Sequence, residues 1–128
     1  RSLSYFLLKA LAGTGAYDAV YRLLVNESEH GWMNMLREGA TTCFEAWGKE
    51  QKWNTSLCHP WACAPVSILI EEIAGIHLTE QAEKGYRWEP HIPEALPFSL
   101  RVLFRDSILY VEQKNHTVCF REERKQTV

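Results

Sequence analysis

The loop formed by residues 39–60 holds most of the side chains in this sequence whose types are suited to chemistry. It has no helical period and is rich in glycine, threonine, tryptophan and asparagine. A long aromatic-rich loop in a compact domain is more often functional than accidental. Its central carboxylate is Glu45, which lies between Phe44 and Trp47. A glutamate is usually an ordinary surface residue, so type alone makes Glu45 a weak candidate for proton transfer.

The cysteines offer a second kind of chemistry. The four are Cys43, Cys58, Cys63 and Cys119. Cys58, His59 and Cys63, with Cys43 as a fourth ligand, are one possible zinc set, but the tight C-x2-C knuckle of most structural zinc sites is missing. We therefore expect buried free thiols, with no metal and no cofactor.

Two short segments of this region are specific when taken together. Residues Gly39–Trp47 read GATTCFEAW, and residues Ser56–Pro65 read SLCHPWACAP. They resemble the Gly-Ala-Thr-Thr-x-Trp-Glu-x-Trp and Ser-x-Cys-His-x-Trp-Ser-x-x-Pro segments of bacterial α-L-rhamnosidases, glycoside hydrolase family 78. The separation between the two segments is also similar, as is an upstream stretch, Ala12–Ala19. The resemblance covers most of residues 1–92.

The resemblance implies hydrolysis of terminal, non-reducing α-L-rhamnosyl residues with inversion, and it gives Glu45 the place of the general base. An inverting glycosidase pairs such a base with a carboxylic acid that protonates the leaving oxygen. The acid of the family lies upstream, outside this chain, and no carboxylate here is nominated in its place. Glu38 and Glu50 flank Glu45 as competing bases, but neither lies inside the matching segment.

The resemblance also implies that His59 and Trp61 line the sugar site. Trp47 is a third candidate for sugar contact, although it is equally suited to packing. We expect Glu45, His59 and Trp61 to converge on one concave surface. The sequence departs from the family pattern at Phe44, Pro60 and Ala62, which leaves the exact sugar preference open.

The elements that position these residues follow from hydrophobic periodicity. The pattern predicts helices over about 2–12, 16–25 and 64–74, a short helical turn over 32–36, and strands from about residue 86 onward. The inward faces of the first and last of these helices are predicted to carry Leu3, Leu7, Ala10 and Leu11, and Val66, Leu69, Ile70 and Ile73. We expect turns at Arg105-Asp106-Ser107 and near Asn115-His116, and we interpret the basic cluster near Arg121 to Lys125 as a solvated end. The fold class is therefore α+β. By the resemblance, residues 1–80 are the last helical hairpins of an (α/α)6 barrel, and residues 81–128 start a C-terminal β-domain with a small antiparallel sheet.

Composition limits the partners. The net charge of −2 argues against a nucleic-acid or anionic-membrane surface, and no apolar run reaches the length of a membrane span. We expect a soluble bacterial protein, with no signal pattern at Arg1-Ser2-Leu3 and a compartment that the sequence leaves open. We also expect a chain that starts inside a larger protein, binds a rhamnose-containing glycan and self-associates through exposed helix faces. The alternatives are a non-catalytic carbohydrate-binding or structural piece, and a six-hairpin glycosidase with another sugar preference.

Overall fold

The structure, a computed structural model, describes residues 2–94 and 96–125, without the side chains of Ser2 and Trp61. The helices are α1 (Ser2–Gly13), α2 (Tyr17–Leu24), α3 (Trp32–Arg37) and α4 (Ala64–Ile68). The strands are β1 (Ile76–Leu78), β2 (Tyr86–Trp88), β3 (Phe98–Phe104), β4 (Ser107–Lys114) and β5 (Thr117–Arg124). Helices followed by antiparallel strands confirm the expected mixed class. No helix in the described ranges is long and apolar enough to cross a membrane.

Helices α1 and α2 pack against each other across a tight turn closed by Gly15, which adopts a φ of 78°. A left-handed residue just after a helix lets the following amides turn back onto the last carbonyls. The amide of Gly15 donates to the Ala12 carbonyl, and the amide of Ala16 donates to the Leu11 carbonyl, each at 2.9 Å. This turn fixes the two helices as a hairpin.

The inward face of α1 differs from the sequence prediction. The predicted stripe was Leu3, Leu7, Ala10 and Leu11. Leu3 is 78% exposed and Leu7 is 52% exposed, whereas Leu8 and Ala12 are buried against α2 and α4. Because α1 is apolar on most of its circumference, its periodicity does not distinguish the covered face from the open one.

The third long helix is split. Residues Ala64–Ile68 form α4, and Leu69–Ile73 continue it as a π-turn. A π-turn inserts one extra residue and shifts which side chains face inward. Val66 of α4, predicted to face inward, is 58% exposed, while Ile68 and Glu72 are buried.

The buried carboxylate of Glu72 is neutralised by Lys9 of α1. The Lys9 ammonium donates to Glu72 and, at 3.0 Å, to Oε2 of Glu71. Burial alone lowers the pKa of Lys9, but the hydrogen bonds to Glu72 and Glu71 outweigh it and raise that pKa above its ordinary value. This charged group joins α1 to the π-turn.

The strands form two antiparallel sheets, β1-β2 and β3-β4-β5. The turns of the larger sheet lie at Arg105-Asp106 and Asn115-His116, where they were expected; Arg105, Asn115 and His116 have positive φ. Two strand features were missed. The three-residue β1 is too short to alternate, and β5 runs on through a charged segment that was read as a solvated end. The predicted domain boundary at residue 80 falls in the β1–β2 connection and stays a prediction.

Two hydrophobic clusters meet at the connection before β3. One lies among α1, α2, α4 and the π-turn, and the other lies between the two sheets. Ile92 and Phe98 pack against both clusters. The buried Gln113 amide donates to the carbonyls of Pro93 and Leu96, at 2.9 and 2.7 Å, and thereby fixes this connection to the sheet.

Candidate active site

The two segments singled out in the sequence lie side by side. The amide of Glu45 donates to the Ser56 carbonyl, and the amide of His59 donates to the Cys43 carbonyl, both at 2.8 Å. Backbone hydrogen bonds of this length pair the chains as neighbouring strands do. Glu45 and His59, which are 14 positions apart, are therefore brought together by main-chain pairing rather than by chance contact of side chains.

The Glu45 carboxylate is held by two donors. Its Oε1 accepts from the Lys52 ammonium at 2.5 Å, and its Oε2 accepts from the Ser56 amide at 3.2 Å. The hydrogen bond from Lys52, then that from Ser56, and the charges of Lys52 and His59 together lower the pKa of Glu45. The side chain stays 31% exposed. Glu45 is thus an ionised, oriented and water-accessible carboxylate at neutral pH.

His59 is the second predicted site residue that the structure places here. It is half-buried and immediately precedes the 3₁₀ turn Pro60–Ala62. Its imidazole is close enough for its charge to act on Glu45. The structure therefore brings Glu45 and His59 together, whereas the predicted contact of Trp61 falls on a side chain outside those described.

Trp47 packs against another tryptophan. Its ring meets Trp32 edge to face, with centroids 5.0 Å apart and an interplanar angle of 83°. The Trp32 indole nitrogen donates to the Ala62 carbonyl at 3.1 Å, which ties α3 to the second segment. Trp47 therefore contributes packing here, and its predicted role in sugar contact stays a prediction.

Glu38, the competing carboxylate, is engaged in holding the loop. Its Oε1 accepts from the Asn34 amide at 3.1 Å, and its Oε2 accepts from the Lys49 backbone amide at 2.8 Å. Asn34 also donates to the Trp47 carbonyl at 3.0 Å. These contacts connect α3 to the loop just after Glu45. In this structure Glu38 therefore holds the loop through both of its oxygens.

Comparison with known proteins gives one family. The family described as bacterial alpha-L-rhamnosidase 6 hairpin glycosidase domain matches residues 4–73. The chain belongs to this rhamnosidase family. Comparisons with curated proteins and with solved structures give no significant match. The matched range contains both segments of the site, and it indicates a glycoside-hydrolase origin for the helical part of the chain.

One site residue of this rhamnosidase family member was missed by sequence reasoning. Lys52 reaches Glu45 across a turn, and no periodic rule brings residues seven positions apart together in a loop. The sequence suggests Trp53 equally for packing and for stacking on a sugar. Its ring is 96% exposed, so it does not pack in the core here.

The cysteines of the site divide into two kinds. Cys43 and Cys63 are half-buried and close to each other, whereas Cys58 and Cys119 are exposed, contrary to the expectation of burial. Burial, with the Cys63 contact, raises the pKa of Cys43 to about 11. Among the described residues, no three His, Cys, Asp or Glu side chains converge in a metal-binding arrangement.

We expect Asn34→Ala to loosen the loop that carries Glu45. The change removes the donor shared by Glu38 and the Trp47 carbonyl, and each lost hydrogen bond costs about 1 kcal/mol. Tryptic cleavage after Lys49 and Lys52, followed by mass spectrometry, should therefore accelerate roughly 5- to 30-fold. Asn54→Ala, at an exposed position of the same loop, is the matched control. Equal cleavage rates in the two variants would contradict the role of Asn34 in holding the loop.

Proposed function

We propose that this chain supplies part of the catalytic domain of an inverting α-L-rhamnosidase, with Glu45 as the general base. In such a reaction one carboxylate removes a proton from water while a carboxylic acid protonates the leaving oxygen. The two carboxyl groups stand roughly 6.5–9.5 Å apart to leave room for the water. Membership of the rhamnosidase family supports the glycosidase class, and the matched range includes Glu45.

The state of the Glu45 carboxylate is the observation that carries this proposal. A general base must be deprotonated and held in place before the water arrives. Hydrogen bonds from Lys52 and Ser56 meet both requirements. Each Glu45 oxygen has a further lone pair for the nucleophilic water, since an ionised carboxylate offers about four acceptor sites.

The sugar would be held by the residues around Glu45. His59, next to the carboxylate, is suited to donating a hydrogen bond to a ring hydroxyl. A tryptophan face suits the apolar face and methyl group of a deoxy-sugar, the role proposed for Trp61 and Trp47. The exposed ring of Trp53 is a further candidate for this contact.

The proposed enzyme needs more helices than this chain provides. Residues 1–80 would form the last hairpins of an (α/α)6 barrel, and residues 81–128 would start the C-terminal β-domain. The open face of α1, which carries Leu3, Phe6 and Leu7, would then pack against neighbouring hairpins. The general acid would come from that other part of the protein.

A non-catalytic carbohydrate-binding role is the second candidate. Two observations favour it: Lys52 neutralises Glu45, and the Trp53 ring is open to solvent. A module of this kind would bind a rhamnose-containing glycan without cleaving it. A six-hairpin glycosidase with another sugar preference is the third candidate. It is favoured by the departures from the family pattern at Phe44, Pro60 and Ala62.

In an enzyme that contains this chain with the complete six-hairpin domain, Glu45→Gln should lower turnover about 10²- to 10⁴-fold and leave substrate affinity nearly unchanged. The amide keeps the shape of the side chain but accepts no proton. Rate and affinity on an aryl rhamnoside measure the effect. Glu50→Gln, at an exposed flanking position, should leave both unchanged. Near-normal turnover of the Glu45 variant would show that another residue is the general base, and Glu38 would be tested next.

In the same enzyme, Lys52→Met should shift the acidic limb of the pH–rate profile to higher pH. Activity is lost as pH falls through the pKa of the base, and Lys52 lowers the pKa of Glu45. Without the ammonium this pKa rises, so protonation and loss of rate begin at a higher pH. Lys49→Met is the control and should leave the pH–rate profile unchanged. If the acidic limb is unshifted in both variants, Glu45 does not determine the position of that limb.

The 128-residue chain alone should neither hydrolyse rhamnosides nor remain monomeric. Hydrolysis fails because, without a general acid, the leaving oxygen departs unprotonated. Self-association is expected because the exposed apolar face of α1 can be buried against a second molecule. An aryl rhamnoside assay and light scattering test the two statements. Phe6→Lys should lower the measured mass toward that of a monomer. Robust turnover by a stable monomer would mean that the chain is a complete small enzyme.

A further inference from the structure

We propose that Cys43 and Cys63 form a redox modification site, in which a peroxide converts the two thiols into an intramolecular disulfide. The pair joins the segment of Glu45 to the start of α4, which follows the segment of His59. The inference goes beyond the hydrolytic function and needs no catalysis by the chain.

The contacts around the pair carry the inference. The Cys63 thiol donates to the His59 carbonyl at 3.8 Å, and the His59 amide donates to the Cys43 carbonyl at 2.8 Å. The two thiols are close enough for Cys63 to act on the pKa of Cys43. A disulfide requires Cα atoms about 4.4–6.8 Å apart, a range suited to two cysteines that both contact the backbone of His59.

The chemistry balances with a peroxide as the only oxidant. The Cys63 thiol gives up its proton, and the thiolate attacks the O–O bond of hydrogen peroxide, which forms a sulfenic acid and expels hydroxide. The hydroxide takes up the thiol's proton and leaves as one water. Cys43 then attacks the sulfenic sulfur, its proton leaves with the hydroxyl group as a second water, and the S–S bond forms. Two thiols are oxidised and one peroxide is reduced to two waters.

The order of attack follows from the surroundings of Cys43. Burial and the contact with Cys63 raise the pKa of Cys43 to about 11, so this thiol is protonated at neutral pH. The thiolate is the reactive form, which makes Cys63 the first nucleophile and Cys43 the resolving thiol. The resulting bond would fix the spacing of the Glu45 and His59 segments covalently.

The test uses the chain with Cys58→Ser and Cys119→Ser, which removes both exposed thiols. After hydrogen peroxide treatment of the folded protein and trypsin digestion without reductant, the peptide with Cys43 should stay joined to the peptide with Cys63. The joined mass should be two hydrogens below the sum, and a reductant should separate the peptides. Sulfenic or sulfinic acid at either cysteine without joining would overturn the proposal.

A second variant separates a positioned pair from random collision. With Cys63→Ser and Cys119→Ser, only Cys43 and Cys58 can join. We expect this pair to form at least tenfold more slowly than Cys43–Cys63 in the folded chain, and the difference to disappear in concentrated urea. Equal rates in the folded state would overturn the proposal. Neither readout depends on glycosidase activity. A failure of the disulfide test therefore leaves the rhamnosidase proposal standing, and a failure of the rhamnosidase proposal leaves the disulfide proposal standing.

Discussion

Two main-chain hydrogen bonds, between Glu45 and Ser56 and between Cys43 and His59, are the constraint on which the candidate site depends. They hold the backbone of Glu45 and that of His59 on neighbouring segments. The surrounding ties act on the same pair of segments from other directions. Trp32 reaches the second segment through the Ala62 carbonyl, and Asn34 reaches the first through the Trp47 carbonyl. Helix α3 thus works as a fixed support from which both halves of the site are held.

The charge of Lys52 shows a compromise within this arrangement. An ammonium beside a carboxylate keeps it ionised, but it also weakens its affinity for a proton. General-base catalysis is most effective when the pKa lies near the working pH, so the lowered pKa of Glu45 would cost driving force in the proposed reaction. Lys52 is itself 44% exposed, and its long stem allows it to swing away. The ion pair is therefore better suited to a resting state than to the moment of proton transfer.

Hydrophobic periodicity predicted the buried face correctly in a helix whose opposite face is polar. It failed in a helix that is apolar on several faces. Helix α2 was read correctly because Val20 and Leu24 lie on its buried face, whereas the charged Asp18 and Arg22 are exposed. Helix α1 misled the prediction, since its apolar residues lie on several faces. Glu72, which is buried within the π-turn, contacts Lys9 of α1, and no local pattern encodes that pairing.

The site was predictable in its chain positions but not in its contacts. The spacing of the two segments anticipated that Glu45 and His59 meet. The contacts of Lys52 with Glu45, and of Cys43 with Cys63, depend on how the loop folds back. Their residue types carry no such information: a lysine or a cysteine in a loop has many possible partners.

Strand β5 lies at the edge of its sheet and runs through four consecutive charged residues, Arg121–Arg124. An edge strand offers unpaired amides and carbonyls that invite another strand to join it. Two arginines and two glutamates in a row make that joining costly, because each would have to give up hydration against a foreign chain. The charged end therefore disfavours the addition of a further strand, and with it amyloid-like growth, at the β5 edge of the sheet.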